Sequence, residues 1–219
     1  MLNFRFCVFF IFALILAACS SQQKQTPSLD LTAQETSVLT QADQLLMEQR
    51  YLDAQDTLSS IDIFSLSSIE QTHYYWISAQ LDVALGRGDD AITAMNAVAP
   101  GAFAQLDFVD PNAPGFLRAT ALHLQGEFIA SARERMFLSG VLTDELYDKN
   151  HQAIWNSLLQ AEESEISQLA SKTTTSLFKG WLDLALIIKR NQIDIDKQLS
   201  KLRKYRTKTT QPHLNYLVI

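Results

Sequence analysis

Apolar residues recur along this chain every three or four positions, and the recurrence restarts after each turn signal. That spacing gathers them on one face of an α-helix. Residues 33–48 place Val38, Ala42, Leu45 and Leu46 at helical spacing, and Thr32 with Glu35 stands in capping-box register ahead of them. After Gln49-Arg50, residues 51–60 carry Leu52, Ala54 and Leu58 and lead to Ile61. Residues 68–85 present Ile69, Tyr75, Trp76, Ala79, Leu81, Ala84 and Leu85, then stop at Gly86-Arg87-Gly88, a helix break. Residues 89–98 bring Ala91, Ile92, Met95 and Val98 before Pro100-Gly101. The stretch 99–115, with three prolines, reads as a loop or a short turn-helix. Two helices then flank Gly126 within 116–139, and the segments 144–160, 163–171, 175–190 and 194–206 follow the same pattern. The first of these carries Leu146, Tyr147, Ile154, Trp155, Leu158 and Leu159. No segment alternates with the period of a strand, so the expectation is an all-α fold.

The helices come in pairs, and two pairs share a skeleton. In "QRYLDAQDTLSSI" and "GRGDDAITAMNAV" a turn precedes an acid, an alanine and two spaced apolar residues. Ala54, Leu58 and Ile61 align with Ala91, Met95 and Val98 at a period of 37 residues. "QGEFIASARERMF" is a weaker third copy, with Ala132 and Met136 in the corresponding places, about 41 residues further on. A small residue lets the second helix cross the first closely, while the bulky ones fill the groove against the next pair. The pattern resembles the tetratricopeptide repeat, a two-helix unit of about 34 residues that stacks into an α-solenoid. The Gly-Tyr pair usual inside the first helix is not present as such.

The N-terminus follows a different logic. MLNFR supplies a short positive region, and residues 6–18, FCVFFIFALILAA, are apolar throughout. Thirteen helical residues span about 20 Å, short of the roughly 30 Å hydrocarbon core, which fits a cleaved signal better than a permanent span. Leu16, Ala17, Ala18 and Cys19 resemble a bacterial lipobox: an aliphatic residue, two small ones and a cysteine. The resemblance implies cleavage before Cys19, a thioether-linked diacylglycerol on its sulfur and a further acyl chain on the freed amine. Each buried CH₂ contributes about 0.8 kcal/mol, and stable anchoring takes more than one chain. Ser20 follows in place of an inner-membrane retention aspartate, so the resemblance points to the periplasmic face of the outer membrane. Cys7 leaves with the signal, so the mature chain holds no disulfide. The domain reading is a signal over 1–18, a tether over 19–32, a helical body over 33–210 and a tail over 211–219.

Composition narrows the function. The chain is 219 residues with 18 basic and 24 acidic side chains, a formal net charge of −6, which argues against a nucleic-acid partner. The charge is uneven: residues 19–188 carry 9 basic and 22 acidic side chains, whereas residues 189–219 carry 8 basic and 2 acidic. A solvated last helix accounts for the basic end, and an anionic partner or head-to-tail contact is the alternative. His73, His123, His151 and His213 have no metal-ligand spacing, and no phosphate loop or nucleophile elbow occurs. Neither a catalytic residue, a metal nor a cofactor beyond the Cys19 lipid is expected. Tyr74-Tyr75-Trp76 occupies different faces of one helix, so core and groove packing is expected of it rather than a ligand platform.

The last part of the body is more distinctive. "HQAIWNSLL" at 151–159, "FKGWLDLALIIKRN" at 178–191 and "LRKYRTKTTQPHLNYL" at 202–217 resemble the end of the N-terminal domain of the LpoA family. These are outer-membrane lipoproteins that activate a class A penicillin-binding protein. In that family an Ile/Thr-Trp-x-x-Leu element precedes a Gly-Trp-Leu-x-Leu helix. Trp155 and Leu158, then Gly180, Trp181, Leu182 and Leu184, occupy those places, with packing roles. The resemblance implies a non-enzymatic scaffold, a peptidoglycan synthase as partner and no small-molecule substrate. The resemblance implies a following α/β domain, and residues 211–219 read as a tail at the start of that otherwise missing second domain. The alternatives are an assembly lipoprotein for outer-membrane protein insertion or pilus secretion, and a glycan-cleaving enzyme with converging carboxylates.

Overall fold

The computed structural model describes residues 31–174, 176–190 and 194–206. The lipobox residues Leu16, Ala17, Ala18 and Cys19, the tail over 211–219 and His213 lie outside them. The periodic segments are helices: α1 (Leu31–Met47), α2 (Tyr51–Ser59), α3 (Ser68–Ala84), α4 (Gly88–Asn96), α5 (Ala113–Leu124), α6 (Phe128–Leu138), α7 (Asp144–Gln160), α8 (Glu163–Lys172), α9 (Ser176–Arg190) and α10 (Ile195–Arg206). No strand occurs among the described residues. Helix α1 begins at Leu31, so Thr32 lies inside it rather than ahead of it as its cap. The capping box sits instead at α3, where the Ser67 backbone N–H donates to Glu70 Oε2 at 2.9 Å and Glu70 N–H donates to Ser67 Oγ at 3.4 Å.

Three helix ends close alike. Gln49 (φ 61), Gly86 (φ 76) and Gly126 (φ 82) take the left-handed conformation just past α1, α3 and α5. In each case the next amide reaches back five residues, Arg50 to Leu45 O at 2.9 Å, Arg87 to Asp82 O at 2.7 Å and Glu127 to Leu122 O at 2.9 Å. The left-handed residue itself donates three back, to Leu46, Val83 and His123. These paired bonds are Schellman motifs, and they satisfy carbonyls that a helix end leaves open. The residue after each turn is already the first flank of the next helix, so three hairpins, α1/α2, α3/α4 and α5/α6, share one corner geometry.

This corner corrects the register of the third repeat. Counted from the left-handed residue, Ala54 and Ala91 correspond to Ser131, not Ala132. Their amides donate in the same way to Arg50, Arg87 and Glu127. All three small residues are fully buried. Ser131 Oγ also donates to Ala119 O on α5 at 2.7 Å, which fastens the crossing. The place of Leu58 and Met95 is then taken by Arg135, half-buried, whose Nη2 donates to Thr120 Oγ1 at 3.1 Å. Burial pushes the Arg135 guanidinium below its ordinary range. Ala132 and Met136 are buried too, one step round α6 and facing α7.

The hairpins bury their apolar faces in series. Leu39, Ala42, Leu45, Leu58, Ile77 and Leu81 form a first core among α1, α2 and α3. Trp76, Ala79, Ala94 and Met95 form a second with Phe103 and Leu106 from the proline-rich connection, whose Ala102–Gln105 turn plugs the layer. Tyr74 packs on the first core and Tyr75 on the second. A third and larger core joins α6 to α9. Leu52, Ile69, Leu146 and Leu159 point outward instead, at 71%, 47%, 58% and 39% exposure. Leu52 stands two residues from Ala54, about 200° round the helix, so the two cannot share a face.

Glycine relieves a left-handed backbone that a side chain strains by about 1 kcal/mol. Gln49→Gly is therefore expected to raise the unfolding free energy by about 0.5–1 kcal/mol. Gly88→Ala is expected to lower it by more, because the added Cβ would lie 2.5 Å from Ala121 O. Equilibrium denaturation of the two variants checks both signs.

Candidate docking surface

The residues of the Trp-Leu and Gly-Trp-Leu elements meet in the third core. On α7, Trp155 (6% exposed) and Leu158 (0%) face Trp181, Leu182 and Leu184 of α9, which are 0–1% exposed. The Trp155 and Trp181 rings sit 4.8 Å apart at 51°, and His151 meets Trp181 edge-on at 5.3 Å. Such tilted and edge-on pairs add about 0.5–1.5 kcal/mol beyond burial. Gly180 is half-buried, and its carbonyl accepts from Tyr205 Oη of α10 at 2.9 Å, which lays the basic last helix on α9. Asn150 of α7, 1% exposed, donates to Arg135 O at 2.7 Å and to Ser139 Oγ at 2.9 Å, closing the C-terminal end of α6.

A buried polar chain crosses the same layers. His123 Nδ1 of α5 lies 2.9 Å from Ser157 Oγ of α7, which lies 3.3 Å from Ser131 Oγ of α6. Gln160 Nε2 donates to His123 Nε2 at 3.3 Å, so Nδ1 carries the ring proton and donates to Ser157. Burial, reinforced by Arg135, holds His123 below its ordinary pKa, and burial does the same for His73 despite the nearby Asp43 carboxylate. Although a serine and a histidine meet here, Ser157 is 0% exposed and accepts from the ring. A hydroxyl that no substrate reaches and no base deprotonates is a strut, not a nucleophile. Among the described residues no group of three or more His, Cys, Asp or Glu side chains could hold a metal. No described helix is long and apolar enough to cross a membrane.

What the core leaves at the surface is a groove along α6. A cavity of about 380 Å³ is lined by Arg133, Met136, Phe137, Lys172 and Phe178 among others. It continues past Met136 and Phe137 into one of about 340 Å³ that reaches Tyr147, His151 and Trp181. Past Arg133 and Lys172 it runs into a third, beside Phe128, Leu169 and Glu165. Phe137 is 74% exposed, and the Arg133 guanidinium lies 5.4 Å over the Phe178 ring. The groove draws on α6, α7, α8 and α9, from Phe128 to Trp181, so sequence reasoning did not assemble it. The one sequence signal was Phe137, a large apolar residue beside the inward-facing Met136.

Among the described residues the structure is an all-α stack of helical hairpins with an open groove along α6, the architecture of a helical-repeat domain. The comparisons agree. Residues 32–215 match the family model described as LppC putative lipoprotein, and the chain belongs to that family. It is 24% identical over 220 residues to the penicillin-binding protein activator LpoA of Serratia proteamaculans, covering 91% of this chain and 32% of that protein. To the activator LpoA of Vibrio vulnificus it is 24% identical over 218 residues, covering 90% and 36%. The chain thus spans about a third of these relatives. Its fold is that of the LpoA N-terminal domain from Haemophilus influenzae, with a TM-score of 0.56 at 18% identity, covering 81% of this chain and 78% of that one. Against full-length LpoA from the same organism the TM-score is also 0.56, covering 81% of this chain and 32% of that one.

The lowered histidines predict a pH dependence. A neutral imidazole is favoured in the fold, so below the unfolded value near 6.5 protonation draws the chain toward the unfolded state. Stability is expected to be full above pH 7, to fall as pH drops through 6.5, and to level off below the folded pKa. Urea midpoints between pH 7.5 and 5.5 measure this, and the double variant His73→Gln/His123→Gln should flatten the slope.

Proposed function

We propose that this chain is the lipid-anchored helical arm of an activator of a class A penicillin-binding protein. The observation that carries the reading is the family match over residues 32–215, preceded by the lipobox Leu16-Ala17-Ala18-Cys19. Acyl chains on Cys19 hold the N-terminus at the periplasmic face of the outer membrane. The hairpin stack projects from there and offers its groove to a protein partner. Its part is non-catalytic: it needs no cofactor beyond the lipid, and nucleic acid is no partner of an acidic body. The relatives named as activators are about three times as long, so activation by this chain is part of the proposal. Stimulation requires tighter binding to the active synthase conformation than to the inactive one. A tenfold difference between the two states corresponds to about 1.4 kcal/mol.

Two measurements test the proposal. Membrane fractionation of cells carrying the native chain should place it with the outer membrane, and Cys19→Ala should release it. Purified chain, added to a class A synthase in a glycan-polymerisation assay, should bind the synthase and raise its rate. A chain that stays soluble with Cys19 intact would remove the anchor. Neither capture nor a rate change would remove the partner.

A further inference from the structure

The groove has a charge pattern that the rest of the body lacks. Residues 31–188 hold eight basic side chains in all, and five of them are ion-paired: Arg50 to Asp53, Arg87 to Asp82, Arg118 to Glu134, Lys149 to Glu145 and Lys179 to Asp183. Arg135 is half-buried against Thr120. The remaining two, Arg133 and Lys172, also meet no carboxylate within 4.0 Å among the described residues, and they line the same cavity. Both are exposed, no acid shares that cavity, and its other walls are Met136, Phe137, Phe178 and two threonines. Arg133 is held over the Phe178 ring rather than left to wander, which reduces the entropy lost on meeting an anion.

We propose that the cavity between α6 and the α8–α9 connection binds a linear peptide, seating a carboxylate between Arg133 and Lys172 beside an aromatic side chain packed on Phe137. The neighbouring depressions set the direction. Glu127 and Glu165 line the Phe128 end and repel an anion there. The other end is walled by Met136, Tyr147, His151 and Trp181, with no carboxylate, and takes the aromatic residue. From Arg133 to Gly140 the groove runs about 10 Å along α6, the reach of three or four extended residues. Alternate residues of an extended chain point to one side, so an acid and an aromatic two positions apart fall on the two cavities. A small anion would fill only the first cavity, which favours a peptide. The inference does not depend on the synthase, because any acidic-aromatic segment would satisfy it.

The test uses the full chain in detergent and a fluorescein-labelled peptide, Gly-Ser-Asp-Asp-Phe-Phe-Asp-Gly-Ser, which sets acids and aromatics two positions apart, followed by fluorescence anisotropy. Saturable binding is expected, weakening as salt rises. It should fall at least tenfold when lysine replaces the peptide's aspartates, or alanine its phenylalanines. Arg133→Glu/Lys172→Glu should cost the same factor, and Phe137→Ala about fivefold. These side chains are exposed, so circular dichroism should show folded protein in each variant. Arg50→Glu/Lys149→Glu, which reverses two cations elsewhere, should leave binding unchanged. Binding that survives loss of the phenylalanines, or falls equally with Arg50→Glu/Lys149→Glu, would reduce the effect to bulk charge and overturn the proposal. Absence of saturable binding would overturn it as well. A silent synthase assay with positive peptide binding would count against the proposed function alone.

Discussion

The first three layers of this molecule depend on the close crossing of two helices at a small side chain. Ala54, Ala91 and Ser131 are each fully buried where the second helix of a hairpin passes the first. A larger residue there would hold the helices apart and open the core beside it. The crossing alone does not stabilise a hairpin, because its other apolar face remains in water until the next hairpin covers it. Leu39 and Leu58 need Ile77 and Leu81 of α3, and Trp76 needs Phe103 and Met95. Stability is therefore a chain of neighbour interfaces. The left-handed corner at Gln49, Gly86 and Gly126 repeats the same backbone turn from one layer to the next.

After the third corner the rule changes. Ala161 and Glu162 join α7 to α8 in extended backbone, with no left-handed residue. Helix α8 packs on α9 rather than folding back along α7, and the paired tryptophans fill the space this leaves. This departure creates the groove. An ideal next hairpin would have covered Phe137 along α6. Turning α8 aside exposes Phe137 and aligns Lys172 with Arg133. The aromatic elements on α7 and α9 thus act at a distance, by fixing where the wall of the groove stands.

How much of this was legible in the residues follows from which interactions are local. Helix ends were, because Gly86, Gly126 and the prolines act on their own backbone. Ala54 and Ala91 were, because a period of 37 residues repeats them. The third copy slipped by one residue, since Ser131 is polar by type and Ala132 beside it fits the template better. Only the Ser131 hydroxyl's bond to Ala119 O shows why a serine serves at that crossing. The Leu52 error has the same origin: apolar character was read without its angle to Ala54. Ion pairs are the least legible. Arg133 and Arg135 stand two apart in one helix, yet one lines an open groove and the other is driven under Thr120. Neither fate is written in the local sequence.

The distribution of charge also bears on how such an arm meets a partner. An acidic body repels other acidic surfaces at long range, and salt at physiological strength limits that repulsion to about 8 Å. Within this distance the groove cations act on the side of the Met136–Phe137–Phe178 cavity, which no acid lines, while Glu127 and Glu165 stand beside them on the other side. The basic last helix lies on α9, the same helix that supplies Trp181 and Phe178 to the groove, with Tyr205 bonded to Gly180. A partner with a negative, aromatic segment is drawn to this end of the stack rather than to its flanks. Under the proposed anchorage at Cys19, the groove belongs to the layers furthest along the sequence from the anchor. Reach and selectivity then come from the same feature, a row of hairpins that changes its packing rule only at its last members.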